Sequence, residues 1–535
     1  MNQNPDFIII GGGSAGSVLA ARLSEDSDVT VALLEAGGDG RDWVIRTPLA
    51  NVAMLPTTLN NYAFETVPQR GLNGRRGYQP RGRALGGSSA INAMVYMRGH
   101  PSDYDHWAAL GNPGWSFADV LPVFKRTENN ERFTDKNDPF HGQGGALNVA
   151  DLRSDNPFQQ RYLDAAKQAG FPLNDDFNGA TQEGIGLHQV TQINGERSSV
   201  ARGYLHPIMG KRGNLDVITH AQVQSVVIDA KSKRAVAVKF LQNGTLRTIA
   251  AKREIILSAG TFQSAQLLML SGVGDSAHLQ DHGIGIVHHL PGVGQNLQDH
   301  PDFIFRHSID STDLVGVSFG AVPKMVKAFY RYHQARRGLV TTNGAEGGGF
   351  FKRSSDSVAP EFQLHFVVGS IEDHARKLRW GHGLSCHVCL LRPKSRGTVK
   401  LASNNAADPL LIDPAFLDHP DDLEQLVEGY KLTRRLLQAP ALSSLYKSDP
   451  YANLSDDDIR EQLRNGVDTV YHPVGTCKMG RADDPLAVVD ATLKVHGVEN
   501  LRVVDASIMP TLIGGNTNAP TVVIAEKAVG FIRGV

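Results

Sequence analysis

The sequence predicts an α/β protein of two domains, and three stretches predict it. First, Phe7-Ile8-Ile9-Ile10 is an apolar run of strand length. Gly11, Gly13 and Gly16 then fit G-x-G-x-x-G at a helix start, and Val31-Ala32-Leu33-Leu34 ends in Glu35. Second, an apolar run at 254–258 passes through Ala259-Gly260-Thr261 into a helical run at 263–270. Third, the pattern returns near the end: a strand at 501–504, Asp505, a Gly/Asn-rich loop and a helix at 521–532. Together they describe a Rossmann-like domain that is discontinuous in sequence. The intervening chain supplies an α+β domain with an antiparallel sheet.

Each part of the opening unit has a physical job. Gly11 permits the tight turn, Gly13 lets backbone approach a pyrophosphate, and Gly16 lets helix sit on strand. Ser14 and Ala15 open the helix, whose free N–H groups and partial positive charge suit phosphate. Glu35, followed by Ala36, stands where an acceptor for the adenosine ribose hydroxyls belongs. A looser match, Gly272-Val273-Gly274-Asp275-Ser276-Ala277, lacks both the preceding strand and the following strand and acid.

With 535 residues, the chain is too long for one compact core. A net charge of −1 gives no global field toward nucleic acid, and no uninterrupted apolar run approaches membrane-spanning length. No basic and apolar leader precedes the first strand, so a signal peptide is not expected. The three cysteines suit a reducing, cytoplasmic setting rather than a disulfide framework. Cys386-His387-Val388-Cys389 looks like half a zinc site, but no second pair exists. In a strand at 384–391 the two cysteines point to opposite faces, so both read as core and no metal is expected.

The nucleotide domain takes 1–155, 201–310 and 461–535, and the second domain 156–200 and 311–460. A turn-rich stretch at 37–99 is long enough to wrap a ligand. Helices are expected at 117–128, 158–169 and 423–437. Strands are expected at 215–219, 223–228, 235–240, 362–367 and 397–401. The middle of the chain carries no phosphate-binding signal and is assigned to substrate.

Three further segments carry chemistry: Gly82-Arg83-Ala84-Leu85-Gly86-Gly87-Ser88-Ser89-Ala90-Ile91-Asn92, then Tyr471-His472-Pro473-Val474-Gly475-Thr476, then Gly514-Gly515-Asn516-Thr517-Asn518-Ala519-Pro520. With 260–274 and Val293-Gly294-Gln295-Asn296-Leu297-Gln298-Asp299-His300, they resemble the signatures of the glucose–methanol–choline (GMC) flavin oxidoreductases, in family order from about 6 to 531. The sequence looks most like the bacterial FAD-dependent alcohol dehydrogenases of the choline-dehydrogenase-like branch. Two departures stand out. Ser264-Ala265 replaces the usual Ser-Pro, and Ile91 occupies the position where some members tether FAD through a histidine. Non-covalent FAD is therefore expected.

The resemblance implies that His472 is the catalytic base and Asn516 its partner. It brings Arg83, Gly86, Gly87, Ser88, Asn92, Ala93, Met94, Val95, Val223, Asp505, Ala506, Asn516 and Thr517 to FAD, along with Gly11, Gly13, Ser14, Ala15, Gly16, Glu35 and Ala36. Val223 falls near the adenine, Asp505 and Ala506 near the phosphates and ribityl chain, and Asn92 and Thr517 near the isoalloxazine. The chemistry agrees. Oxidising a primary alcohol to an aldehyde by hydride transfer to flavin N5 requires removal of the hydroxyl proton. A neutral imidazole suits that task at pH 7. An amide N–H at Asn516 stabilises the developing alkoxide. A quinone-like electron acceptor is expected. Choline dehydrogenase, an oxidase using O₂ and an NAD(P) enzyme are the alternatives. Glu346 is either a partner for a quaternary ammonium, although no aromatic cage surrounds it in sequence, or a solvated or structural acid. The acid-free run 314–345 holds Lys324, Lys327, Arg331, Arg336 and Arg337 around an amphipathic helix at 322–338. That helix suits an anionic membrane surface or, alternatively, a solvated basic face.

Overall fold

The structure, a computed structural model, describes residues 4–377 and 379–534. Its first layer is a five-stranded parallel sheet in the order Leu215–Ile218, Val31–Leu34, Phe7–Ile10, Glu254–Leu257, Leu501–Val503. Strands from both ends of the chain lie in one sheet, so the nucleotide domain is discontinuous as expected. Ile8, Ile9, Leu33, Ile255 and Ile256 are fully buried. Such unbroken apolar runs belong to parallel strands covered on both faces. An antiparallel three-stranded sheet, Ala221–Asp229, Arg234–Gln242 and Thr245–Ala250, joins the same core through Val226, Val238 and Phe240.

The second sheet runs Asp468–Thr469, Pro301–Ser308, Gly381–Leu390, Phe362–Val367, Ala345–Phe351, Gly184–Leu187, with every adjacent pair antiparallel. Its strands alternate. Phe362, Leu364, Phe366, Cys386, Val388, Phe303 and Phe305 share a core with Leu423, Leu426, Val427 and Tyr430 of the helix Pro420–Leu437. The intervening positions Gln363, His365, Ser385, His387 and Asp302 lie on the other face, toward the nucleotide domain. Cys386 and Cys389 fall into separate core clusters, and no metal-binding group occurs among the described residues.

Two strands of this sheet, Pro301–Ser308 and Asp468–Thr469, lie inside segments that the sequence reading gives to the nucleotide domain. The chain crosses between sheets at these points, which puts Asp299-His300 and Tyr471-His472 at the seam. Helices expected at 117–128 and 158–169 run Phe117–Thr127 and Phe158–Gln168. The looser glycine match at 272–274 only pairs with His288–His289. The expected basic helix is Ala321–Ala335, and much of its charge meets acids from elsewhere. Lys324 pairs with Asp313, Arg331 and Arg337 with Asp155, and Arg336 with Glu196.

Candidate active site

Between the two sheets lies a cavity of about 1140 Å³, above the usual ~300–1,000 Å³ of a small-molecule site. There is room for a cofactor and a substrate. Glycines make one end of it. Gly11 has φ +97°, and a Cβ there would meet Ser258 O at 2.5 Å. A Cβ on Gly87 would lie 2.7 Å from Gly13 Cα, so the two glycine loops touch by backbone. Three helices begin at this cradle: Ser14–Leu23, Gly260–Leu270 and Asn518–Arg533. Ser14 Oγ donates to Asn518 Oδ1 at 2.8 Å and joins two of those starts. Converging N-termini favour a polyanion.

Glu35 lines this end, fully buried. Its two oxygens accept from Gly12 N–H at 2.8 Å and Gly37 N–H at 2.7 Å. Burial pushes its carboxyl upward, against those two hydrogen bonds. Asp505 pins the C-terminal segment to the second strand–helix junction, accepting from Gly260 N–H at 2.9 Å and Ser264 Oγ at 2.6 Å.

The other end is built from imidazoles. Tyr471 sits at φ +74°, an uncommon conformation for a non-glycine residue, and turns His472 into the cavity. The His472 backbone N–H donates to Asp299 Oδ1 at 2.9 Å. Burial raises the Asp299 carboxyl to about 6, opposed by the Thr469 hydroxyl, which donates to it. His300 Nε2 lies 3.2 Å from Ile513 O, and His300 Nδ1 lies 3.0 Å from His472 Nδ1. A carbonyl only accepts, so His300 carries its proton on Nε2, and its Nδ1 is an acceptor. His472 then donates from Nδ1, which leaves Nε2 unprotonated, its lone pair an acceptor on the cavity side. The hydrogen-bond network thus assigns the tautomer a base needs. Burial, with His300, His365 and Arg81 nearby, holds His472 protonation well below the ordinary range.

Asn516 meets that lone pair. Its Nδ2 lies 3.0 Å from His472 Nε2 and 3.4 Å from His365 Nε2, while Gln363 Nε2 donates to its Oδ1 at 3.0 Å. Gln363 therefore fixes which way the amide faces. A hydroxyl entering here would accept from Asn516 and donate to His472.

Most residues named from sequence line the cavity: Gly11, Gly13, Ser14, Ala15, Glu35, Ala36, Gly87, Ser88, Asn92, Ala93, Met94, Val95, Val223, Asp505, Ala506, Asn516, Thr517 and His472. Gly16, Arg83 and Gly86 do not. Gly16 is glycine because a Cβ would lie 1.9 Å from Gly11 O. Gly86 N–H donates to Gly12 O at 2.8 Å, and Arg83 lies over the Tyr62 ring. Of the two readings of Glu346 the structural acid holds and the ammonium partner does not: it is buried away from the cavity, accepting from Thr342 and Gln159. Sequence reasoning named Asp299 and His300 only within a signature, without a role, and missed Gln363, His365 and His387. The polar alternates in Phe362-Gln363-Leu364-His365-Phe366 were the available signal. It also missed Arg197, a buried guanidinium that holds Asn92 in place by donating to Asn92 O and Oδ1 at 2.6 and 2.8 Å.

A nucleotide cradle that ends on an imidazole–amide pair defines a nucleotide-cofactor oxidoreductase. The GMC oxidoreductase family model matches residues 5–302 and, through its C-terminal part, 393–525. The chain belongs to the GMC oxidoreductase family. It is 44% identical to an alcohol dehydrogenase [acceptor] of Pseudomonas putida, over 98% of this chain and 95% of the relative. To the mitochondrial choline dehydrogenase of Mus musculus it is 41% identical, over 99% and 89%. The crystal structure of pyridoxine 4-oxidase from Mesorbium loti matches with a TM-score of 0.88 at 30% identity, over 99% and 100%. Formate oxidase of Aspergillus oryzae, in a structure titled for FAD modification, matches at 0.91 with 26% identity over 100% and 98%.

Proposed function

We propose that this protein is an FAD-dependent dehydrogenase that oxidises a primary alcohol to an aldehyde, with a quinone-like compound as electron acceptor. The observation that carries the reading is the unprotonated Nε2 of His472, which accepts from the Asn516 amide. Family membership and the glycine cradle support FAD, and Glu35, Val223, Asp505 and Thr517 would hold it. Bound FAD supplies the acceptor for the hydride that leaves the carbinol carbon. The chain does the rest. His472 Nε2 takes the hydroxyl proton, and Asn516 N–H stabilises the oxygen as its charge grows. His300 keeps the imidazole in the productive tautomer. A membrane-dissolved quinone makes the cytoplasmic face of the inner membrane the place of action on this reading.

Choline oxidation is the second reading, favoured by the choline dehydrogenases among the relatives. Against it, Glu346 stands away from the cavity. A substrate panel run with O₂, a quinone analogue and a phenazine dye tests both readings. Medium-chain or ether-containing primary alcohols are expected to outperform choline, and quinone or dye to outperform O₂. A choline kcat/KM above that of every neutral alcohol would overturn the substrate assignment.

Ile91 lines the cavity but carries no nucleophilic atom. Acid precipitation of the purified protein is therefore expected to leave FAD in the supernatant. Flavin that stays with the pellet would contradict non-covalent attachment.

A further inference from the structure

A group of exposed apolar side chains lies beside residues that line the cavity. Phe319 is 86% exposed, Trp380 66%, and along one stripe of the helix Ala321–Ala335 Val322 is 62%, Val326 67% and Tyr330 67%. The spacing 322, 326, 330 keeps the stripe on one side, while Ala328 and Tyr332 bury the inner face. The Phe319 and Trp380 rings meet edge to face at 5.0 Å. Trp380 bridges to Val317, and both residues line the cavity itself. The stripe and the opening are thus one surface. Apolar patches of this kind mark an interaction site.

The charge around it narrows the partner. Arg331 and Arg337 share the single carboxylate of Asp155, and Arg336 shares Glu196 with Arg202, so the positive charges outnumber their partners. An apolar stripe with exposed Trp, Phe and Tyr above a net basic flank matches the interfacial zone of an anionic bilayer.

We propose that this surface docks on anionic lipid, with Phe319, Val322, Val326 and Trp380 in the headgroup–acyl boundary, so that the mouth opens into the membrane. The proposal rests on the alcohol-dehydrogenase reading and deepens it: the substrate class becomes lipid-soluble primary alcohols drawn from the bilayer. Water-soluble alcohols reach the same cavity from solution and need no docking.

The test uses purified holoenzyme and vesicles of phosphatidylglycerol and phosphatidylethanolamine, comparing wild type with the triple variant Phe319→Ser, Val322→Ser, Val326→Ser. None of the three residues lines the cavity. Wild type is expected to co-sediment with the vesicles, and the variant's partitioning to fall at least about tenfold. Dye-coupled kcat/KM for 1-butanol should be unchanged, while turnover of dodecanol presented in vesicles falls with binding. Wild type that does not co-sediment, or a variant that binds equally well, overturns the proposal. So does sedimentation velocity showing a wild-type dimer that the variant abolishes, because a second copy then covers the patch. Vesicle binding without any 1-butanol turnover by wild type would instead sink the alcohol-dehydrogenase reading.

Discussion

Replacing His472 with alanine is expected to lower kcat by about 10²–10⁴-fold while FAD is retained, the range for a positioned acid–base group. The magnitude follows from geometry. His472 Nε2 is the lone pair at the amide of Asn516, and that amide has no atom able to take a proton. Asn516→Ala should therefore cost less, because it removes one hydrogen bond to developing charge and leaves the base in place. A larger loss at Asn516 than at His472 would reverse the two roles. The pH profile adds an independent check. Burial, with His300, His365 and Arg81 nearby, holds His472 protonation well below its ordinary range, so the neutral base persists as pH falls through neutrality. The acid limb of kcat/KM is expected below about 6.5, the ordinary imidazole value. His300→Leu removes the acceptor that fixes the tautomer. Its kcat should fall while FAD is retained. An unchanged kcat would leave His300 a purely structural residue.

What the sequence disclosed followed from how locally each feature is encoded. The nucleotide cradle was legible because strand, turn and helix lie within residues 7 to 35, and backbone sterics alone demand the glycines. The parallel sheet was legible as unbroken apolar runs. The membership of strands 301–308 and 468–469 in the second sheet was not, because short strands cross between sheets with no break in composition. Glu346 stayed open between two roles for a related reason. A lone acid among glycines carries no information about which way it faces, and here it turns inward to Thr342 and Gln159. His300 and His365 act through partners about 172 and 151 residues away, separations that no local pattern reports. The basic run at 324–337 was real, but the acids that partly neutralise it come from residues 155, 196 and 313.

Glu35→Ala is expected to weaken FAD binding by about 10- to 10²-fold and to leave kcat at saturating FAD unchanged. Each Glu35 oxygen already accepts one backbone N–H, from Gly12 or from Gly37, and each keeps a second lone-pair direction for a ribose hydroxyl. The carboxylate shapes the glycine turn and is expected to bind what the turn receives. Hydrogen bonds to a charged group contribute about 1.5–3 kcal/mol each, so loss of one net interaction accounts for the expected range. The chemistry survives because His472 and Asn516 lie at the other end of the cavity. Acidity should imitate the substitution. Burial raises the Glu35 carboxyl above its ordinary value, so the accepting form is lost as pH falls through that raised range. FAD release, followed by flavin fluorescence on dilution, should accelerate toward acid in wild type. Glu35→Gln, which keeps one acceptor and cannot titrate, should flatten that dependence. An alanine variant that retains FAD with wild-type affinity would move the ribose contact elsewhere and leave Glu35 only the turn.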